Sequence, residues 1–316
     1  MYEKEKAKLA KDGLYLKRYG KEKRNNKELV MVAVNQNGFA LRYASPKLQG
    51  DKDVVFNAVK NHGCVLADVS PEIKNDKDVV SAAVSENARA LAYASDNLRN
   101  DREIVFKAIR QDGFVLQFAS NELRNDKEIV LKAVETDGWS LEFASSKLKS
   151  DKDVVLAAVS ENGMALKFAN FELRGNRDVV LKAVDENARA LEYASRRPRN
   201  DKEVVLRAVN RNGDVLEYAS RKLKGDKDIV FAAVSQRGSA LQFASDELRN
   251  DKDVVRKAIS QNGLALQFAS NELQNNKKIV LKAISLDERA LLYASPELRG
   301  DSDVARKFAE KVGLSF

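Results

Sequence analysis

Cysteine, histidine and tryptophan each occur once in 316 residues, and proline only four times. A single thiol, Cys64, excludes a disulfide framework and a zinc site of the usual multi-thiolate kind. No stretch approaches the roughly 18–20 consecutive apolar residues of a membrane helix, and the opening MYEKEKAKLAKD carries charge without the apolar run of a signal peptide. The expectation is a cytoplasmic protein with no membrane contact. No Gly-rich phosphate loop is present and no pair of residues stands out as an acid–base couple, so no enzyme activity, no cofactor, no metal and no small-molecule substrate are expected.

Acid and base are both plentiful, with 32% charged residues beside 44% apolar ones, as in folded globular chains. The net charge of +8 is unevenly placed. Residues 1–25 hold nine basic side chains (Lys4, Lys6, Lys8, Lys11, Lys17, Arg18, Lys21, Lys23 and Arg24) against four acidic ones. The rest of the chain is close to neutral, which argues against a uniform phosphate-tracking groove.

What the chain has in abundance is self-similarity. Aligned on Asp51, Asp76, Asp101, Asp126, Asp151, Asn176, Asp201, Asp226, Asp251, Asn276 and Asp301, it repeats every 25 residues without insertion, close to DKDVVLKAVSQNGLALQFASNELRN. Asn26 opens the first full copy. The expected organisation is a degenerate capping copy at 1–25, eleven tandem copies over 26–300 and a truncated capping copy at 301–316. A unit iterated in this way forms a stack in which neighbours share a core. The fold expected is all-α, an α-solenoid superhelix of about twelve 25-residue helix-turn-helix repeats.

In the copy at 126–150, Ile129, Val130, Leu131, Ala133 and Val134 recur at helical spacing. Asp126 is placed to cap that helix, with Glu128 adding negative charge at the positive end of the dipole. Asp137-Gly138 is expected to end it through a left-handed glycine cap. A second, shorter helix should turn Leu141, Phe143 and Ala144 inward, and Ser145 should cap one further turn ending near Leu148. Pro46, Pro71 and Pro296 follow the equivalent serine, at the first position of a turn where a missing amide costs little. Pro198 replaces the apolar residue of the same turn.

Runs such as LRNDKEIVLKAV (Leu123 to Val134) and NGLALQFASNEL (Asn262 to Leu273) resemble the repeats of an uncharacterised family, domain of unknown function 4116. The resemblance covers nearly the whole chain. It implies the helical-repeat fold and no activity, because function is carried by sites and not by folds.

The position after the Gly turn varies most: Phe39, Cys64, Arg89, Phe114, Trp139, Met164, Arg189, Asp214, Ser239, Leu264 and Arg289. Phe39, Arg89, Phe114, Trp139, Met164, Arg189, Leu264 and Arg289 are the candidate partner-binding residues, one reader per copy. The plainer account is a half-exposed edge that drifts. ENARALAYAS, ENARALEYAS and LDERALLYAS recur at 100 residues, placing Arg89, Arg189 and Arg289 four copies apart, as a functional row or as the relic of a four-copy duplication.

His62, Cys64 and Asp68 cluster in one deviant copy, NHGCVLADVS, where Asp68 replaces the usual Tyr or Phe. As a metal or nucleophile site this spacing matches no known motif. Local distortion or a partner contact through Asp68 explains it better. Two basic ladders run along the copies, one at Lys52, Lys77, Arg102, Lys127, Lys152, Arg177 and Lys202, the other at Arg99, Arg124, Lys149, Arg174, Arg199 and Lys224. Acids flank the first ladder on both sides, so mutual pairing is its default role.

The leading functional expectation is a scaffold that binds another protein or complex, with a stoichiometric inhibitor or sequestering protein as one version. The alternative is nucleic-acid or nucleoprotein binding through the basic first copy and the ladders.

Overall fold

A computed structural model describes residues 2–313, and among these every regular element is helical. The chain divides into two compact units, Met1–Glu161 and Asn162–Phe316. Within each unit successive repeats stack against one another, as the sequence period requires.

The repeat is built from three short pieces. In the copy at 126–150 these are an α-helix Lys127–Thr136, a 3₁₀ helix Gly138–Phe143 and a closing 3₁₀ turn Leu148–Ser150. Asp126 starts the α-helix as expected: its Oδ1 accepts from the backbone N–H groups of Glu128 at 3.0 Å and Ile129 at 3.1 Å. Ile129, Val130, Ala133 and Val134 are wholly buried, a pattern of paired positions one turn apart that makes one inward face. Each fully buried Val, Ile or Leu of this kind contributes about 1.5–3 kcal/mol. Ser145 caps the closing turn, its Oγ accepting from Leu148 N–H at 3.3 Å. The three prolines Pro46, Pro71 and Pro296 occupy the first position of that turn, and Pro198 opens its 3₁₀ version.

Two local expectations are corrected. The second, shorter helix is a six-residue 3₁₀ helix, and while Leu141 and Ala144 are buried as expected, Phe143 is only half-buried. Asp137-Gly138 also does not form a left-handed cap. Asp137 is extended, at φ −152°, and among the described glycines only Gly313 has a positive φ. Asp137 faces forward instead, its Oδ1 accepting from Trp139 N–H at 2.9 Å to start the 3₁₀ helix.

The glycine is needed for a different reason. A Cβ at Gly113 would stand 2.3 Å from the carbonyl oxygen of Ala133 in the next copy, and the same 2.3 Å clash recurs at Gly38 with Ala58 and at Gly63 with Ala83. The Gly position is thus the point where one repeat's backbone touches the next repeat's helix.

A second inter-repeat joint lies at the closing turns. Ser45 N–H donates to the Arg24 carbonyl at 2.9 Å while its Oγ donates to Asn25 Oδ1 at 2.7 Å. The pair recurs at Ser145 with Arg124 and Asn125 in the first unit, and at Ser220 with Arg199 and Asn200 in the second. Residues 3–24 contain the same three pieces, helix Glu3–Lys11, 3₁₀ helix Gly13–Arg18 and helix Lys21–Arg24, so the degenerate first copy keeps the whole plan. Of the truncated last copy, the described part is the helix Ser302–Val312.

Candidate functional site

The first basic ladder is a set of clamps. Lys77 Nζ lies 2.9 Å from both Asp101 and Glu103 of the next copy, so one cation ties the capping acid and the first-turn acid of the neighbouring helix. Lys27, Lys52 and Lys127 repeat this arrangement in the first unit, and Lys202, Lys227 and Lys277 in the second. Arg102 and Arg177 do the same with their guanidinium forks. Hydrogen bonds donated to Asp76 and Asp78 push the Lys52 ammonium up to about 12, and those donated to Glu103 and Asp101 do so for Lys77. The acids respond in the opposite sense: Lys27 beside Asp51 holds that carboxyl below its ordinary 3.8. The series breaks at Lys252, because the following copy offers Asn276 and Lys278 in place of acids.

The second ladder lies at the closing turns, where its arginines bind carbonyls and an acid of their own or the following copy. Arg124 Nε donates to the Phe143 carbonyl at 2.5 Å, and Arg199 Nε to the Leu191 carbonyl at 3.2 Å. Arg99 pairs with Asp96. Lys149 and Lys224 are half-buried, and burial pulls both ammoniums below their ordinary range.

The variable lip falls at the second residue of each 3₁₀ helix. Its apolar members Phe39, Phe114, Trp139, Met164 and Leu264 are half-buried, whereas Arg89, Arg189 and Arg289 are exposed. Phe114 meets the edge of Phe143 in the next copy at 4.8 Å between ring centroids, and Phe39 lies 4.7 Å from the His62 ring. Part of the lip therefore joins repeats. Arg89 is held by Asp112 at 3.1 Å and Arg289 by Asp287 at 2.7 Å, which leaves Arg189 as the member of that trio without an ion pair among the described residues.

His62, Cys64 and Asp68 are directed to separate tasks. His62 Nδ1 accepts from Gly38 N–H at 3.2 Å, and Asp68 pairs with Arg42 at 3.5 Å, both in the preceding copy. Cys64 is a half-buried free thiol. Among the described residues no three His, Cys, Asp or Glu side chains come close enough to hold a metal ion.

In the first copy, Lys6 pairs with Glu28 at 3.0 Å and Lys23 with Glu5 at 2.7 Å. Lys8 and Arg18 lie over the Tyr15 ring, and Arg24 donates to the Lys17 carbonyl. Lys4, Lys11, Lys17 and Lys21 remain exposed.

Two surfaces escape the sequence reading. The first is the outward face of the α-helices, where the sixth position of most copies is apolar yet never fully buried: Met31, Phe56, Phe106, Leu131 and Leu156 in one unit, Leu181, Leu206, Phe231 and Leu281 in the other, with Ser81 and Arg256 as the exceptions among the full copies. In the first unit Phe106 lines a hollow of about 880 Å³ with Arg102, Arg110 and Glu128, and a second of about 430 Å³ with Leu131. Phe56 lines another of about 490 Å³. The signal was available, since this position is apolar in nine of the eleven full copies although it lies outside the paired core positions.

The second is a groove of about 780 Å³ over the closing turns of the copies ending near 175, 200 and 225, with Phe171, Arg196, Arg197, Arg221 and Lys222 on its walls. Its signal was also present, as RRPR and RKLK where other copies have mostly acidic or neutral residues.

Stacked 25-residue helical units, clamped to each other by charge and by backbone contact, define a helical-repeat protein. The family model described as Domain of unknown function (DUF4116) matches from residue 7 to residue 316, in blocks that include 7–49, 51–99 and 276–316, and the chain belongs to that family. No curated protein matches it. No described helix is long and apolar enough to cross a membrane.

Proposed function

We propose that this is a non-enzymatic scaffold that binds another protein along the outward face of its α-helices. The observation that carries the reading is the sixth-position row: a Phe or Leu stands there in eight of the eleven full copies, none of them fully buried, and Phe106 and Leu131 lie in hollows rimmed by charged clamps. Apolar anchors inside a polar rim are the usual composition of a protein-binding patch. The half-buried lip residues Trp139 and Met164 add apolar surface at another edge of the same copies.

The test begins with capture by tagged full-length protein from a nuclease-treated lysate. The partner found is then purified and its affinity measured against wild type, Phe106→Glu and Leu131→Glu, with thermal melting to check the fold. Each variant is expected to weaken binding at least about fivefold. Unchanged affinity in both removes the helix face from consideration, and retention that depends on nucleic acid overturns the protein-binding reading.

A further inference from the structure

We propose that the groove beside Phe171 binds single-stranded nucleic acid. This goes beyond the protein-binding reading and does not rest on it, since it uses another surface and another ligand chemistry.

The repeat supplies its own comparison. The two residues after the Ser or Asn that precedes each closing turn are Pro46-Lys47, Pro71-Glu72, Asp96-Asn97, Asn121-Glu122 and Ser146-Lys147 in the first unit, and Asp246-Glu247, Asn271-Glu272 and Pro296-Glu297 late in the second. In three consecutive copies between them they become Phe171-Glu172, Arg196-Arg197 and Arg221-Lys222. Equivalent positions of stacked repeats are neighbours, so the substitutions gather in one groove. In two other copies an acid at the first of these positions holds the copy's own arginine, as Asp96 holds Arg99 and Asp246 holds Arg249. That local acid is gone here.

The result is unneutralised charge. Among the described residues Arg196, Arg197, Arg221 and Lys222 are exposed and make no ion pair, in contrast to clamped cations such as Lys77 and Lys202. Arg174 also lines the groove, and its Nε is buried without a hydrogen-bond partner. The one acid on the walls is Glu192.

Charge alone would suit any polyanion; the aromatics narrow the choice. Phe171 is 72% exposed, and Tyr193 and Tyr218 line the same groove. One exposed ring and two half-buried ones beside several free cations match the chemistry of a single strand, whose phosphates take the charges and whose unpaired bases stack on the rings. An acidic polypeptide would use the cations and leave Phe171 idle.

The test measures binding of full-length protein to labelled oligouridylate and oligothymidylate of about 12 nucleotides, between about 50 and 200 mM salt. Wild type should bind with affinity falling as salt rises. The variant Arg196→Gln/Arg197→Gln/Arg221→Gln/Lys222→Gln should flatten the log–log salt slope by about 3, at roughly 0.7 for each phosphate no longer neutralised. Phe171→Ala should weaken binding by about fivefold or more and leave the slope unchanged. All five side chains are exposed, so an unaltered melting curve is expected and separates a binding defect from a folding defect. Equal strength for the two oligonucleotides assigns the site to the shared backbone and bases; a preference for one names the source.

The proposal is overturned if wild type binds neither oligonucleotide, if the fourfold variant binds as wild type does while Lys4→Gln/Lys17→Gln/Lys21→Gln loses binding, or if polyglutamate competes as well as the oligonucleotides.

Discussion

Gly213 stands so near the next repeat that a methyl group on its Cα would come within 2.2 Å of the Ala233 carbonyl oxygen. Its backbone has no positive φ, so the demand is for space and not for a left-handed conformation. Gly213→Ala should therefore cost about 1–3 kcal/mol by overpacking, read as a lower urea midpoint. Gly213→Asn is the sharper variant: a left-handed position tolerates Asn well, whereas a close contact makes it worse than Ala. The natural alanines Ala88 and Ala188 at equivalent positions indicate that repeats can shift to admit one methyl. A Gly213→Asn protein at least as stable as Gly213→Ala would sink this account.

Asp101 has two separable duties. Its Oδ1 accepts from the N–H groups of Glu103 and Ile104, and its Oδ2 meets Lys77 at 2.9 Å. Asp101→Ala removes both and should cost about 1 kcal/mol, the usual worth of an N-cap. Asp101→Asn keeps the cap, as Asn26 and Asn176 do naturally, and should lose little. Equal losses in a chemical denaturation series would mean that the clamp, and not the cap, sets the stability of this joint.

Stability should fall on the acid side. The Asp51 and Asp151 carboxyls are held below their ordinary 3.8 by hydrogen bonds from Lys27 and Lys127, helped by backbone N–H groups against the opposing effect of desolvation. A depressed native value contributes stability that is complete above 3.8 and is lost as pH falls through the lower native value. The lysines give the mirror image: Lys52 and Lys77, raised from 10.5 to about 12, contribute fully below 10.5 and lose that contribution as pH rises toward 12. Urea midpoints across pH should show both declines, and Asp51→Asn/Asp151→Asn should shrink the acid one. An unchanged acid limb in that variant contradicts the assignment.

Ser140 is wholly buried, and its Oγ finds no hydrogen-bond partner among the described residues. Most copies hold Ala or Val at this position, as at Ala40, Ala90 and Val115. Ser140→Ala should raise stability by about 1 kcal/mol, since a buried unsatisfied hydroxyl is costly. A drop in the melting temperature would reveal a partner for that hydroxyl.

The 25-residue period, the α-helix of each copy, its Asp or Asn cap, the serine-capped closing turn and most of the buried positions were legible in the order of residues alone, Phe143 being an exception. These are local properties written eleven times over, so chance variation in one copy is corrected by the others. The second element stayed ambiguous at that level, because six residues of apolar spacing do not distinguish 3₁₀ from α hydrogen bonding. The glycine was misassigned, since a helix-ending Gly looks the same whether it turns left-handed or makes room for a neighbour. That Gly113 faces Ala133, that Lys77 reaches Asp101 and Glu103, and that Phe171, Arg196 and Arg221 share one groove emerged only from the folded arrangement. Each relationship spans 20 residues or more of chain, and it exists because stacking brings equivalent positions of successive copies within contact distance.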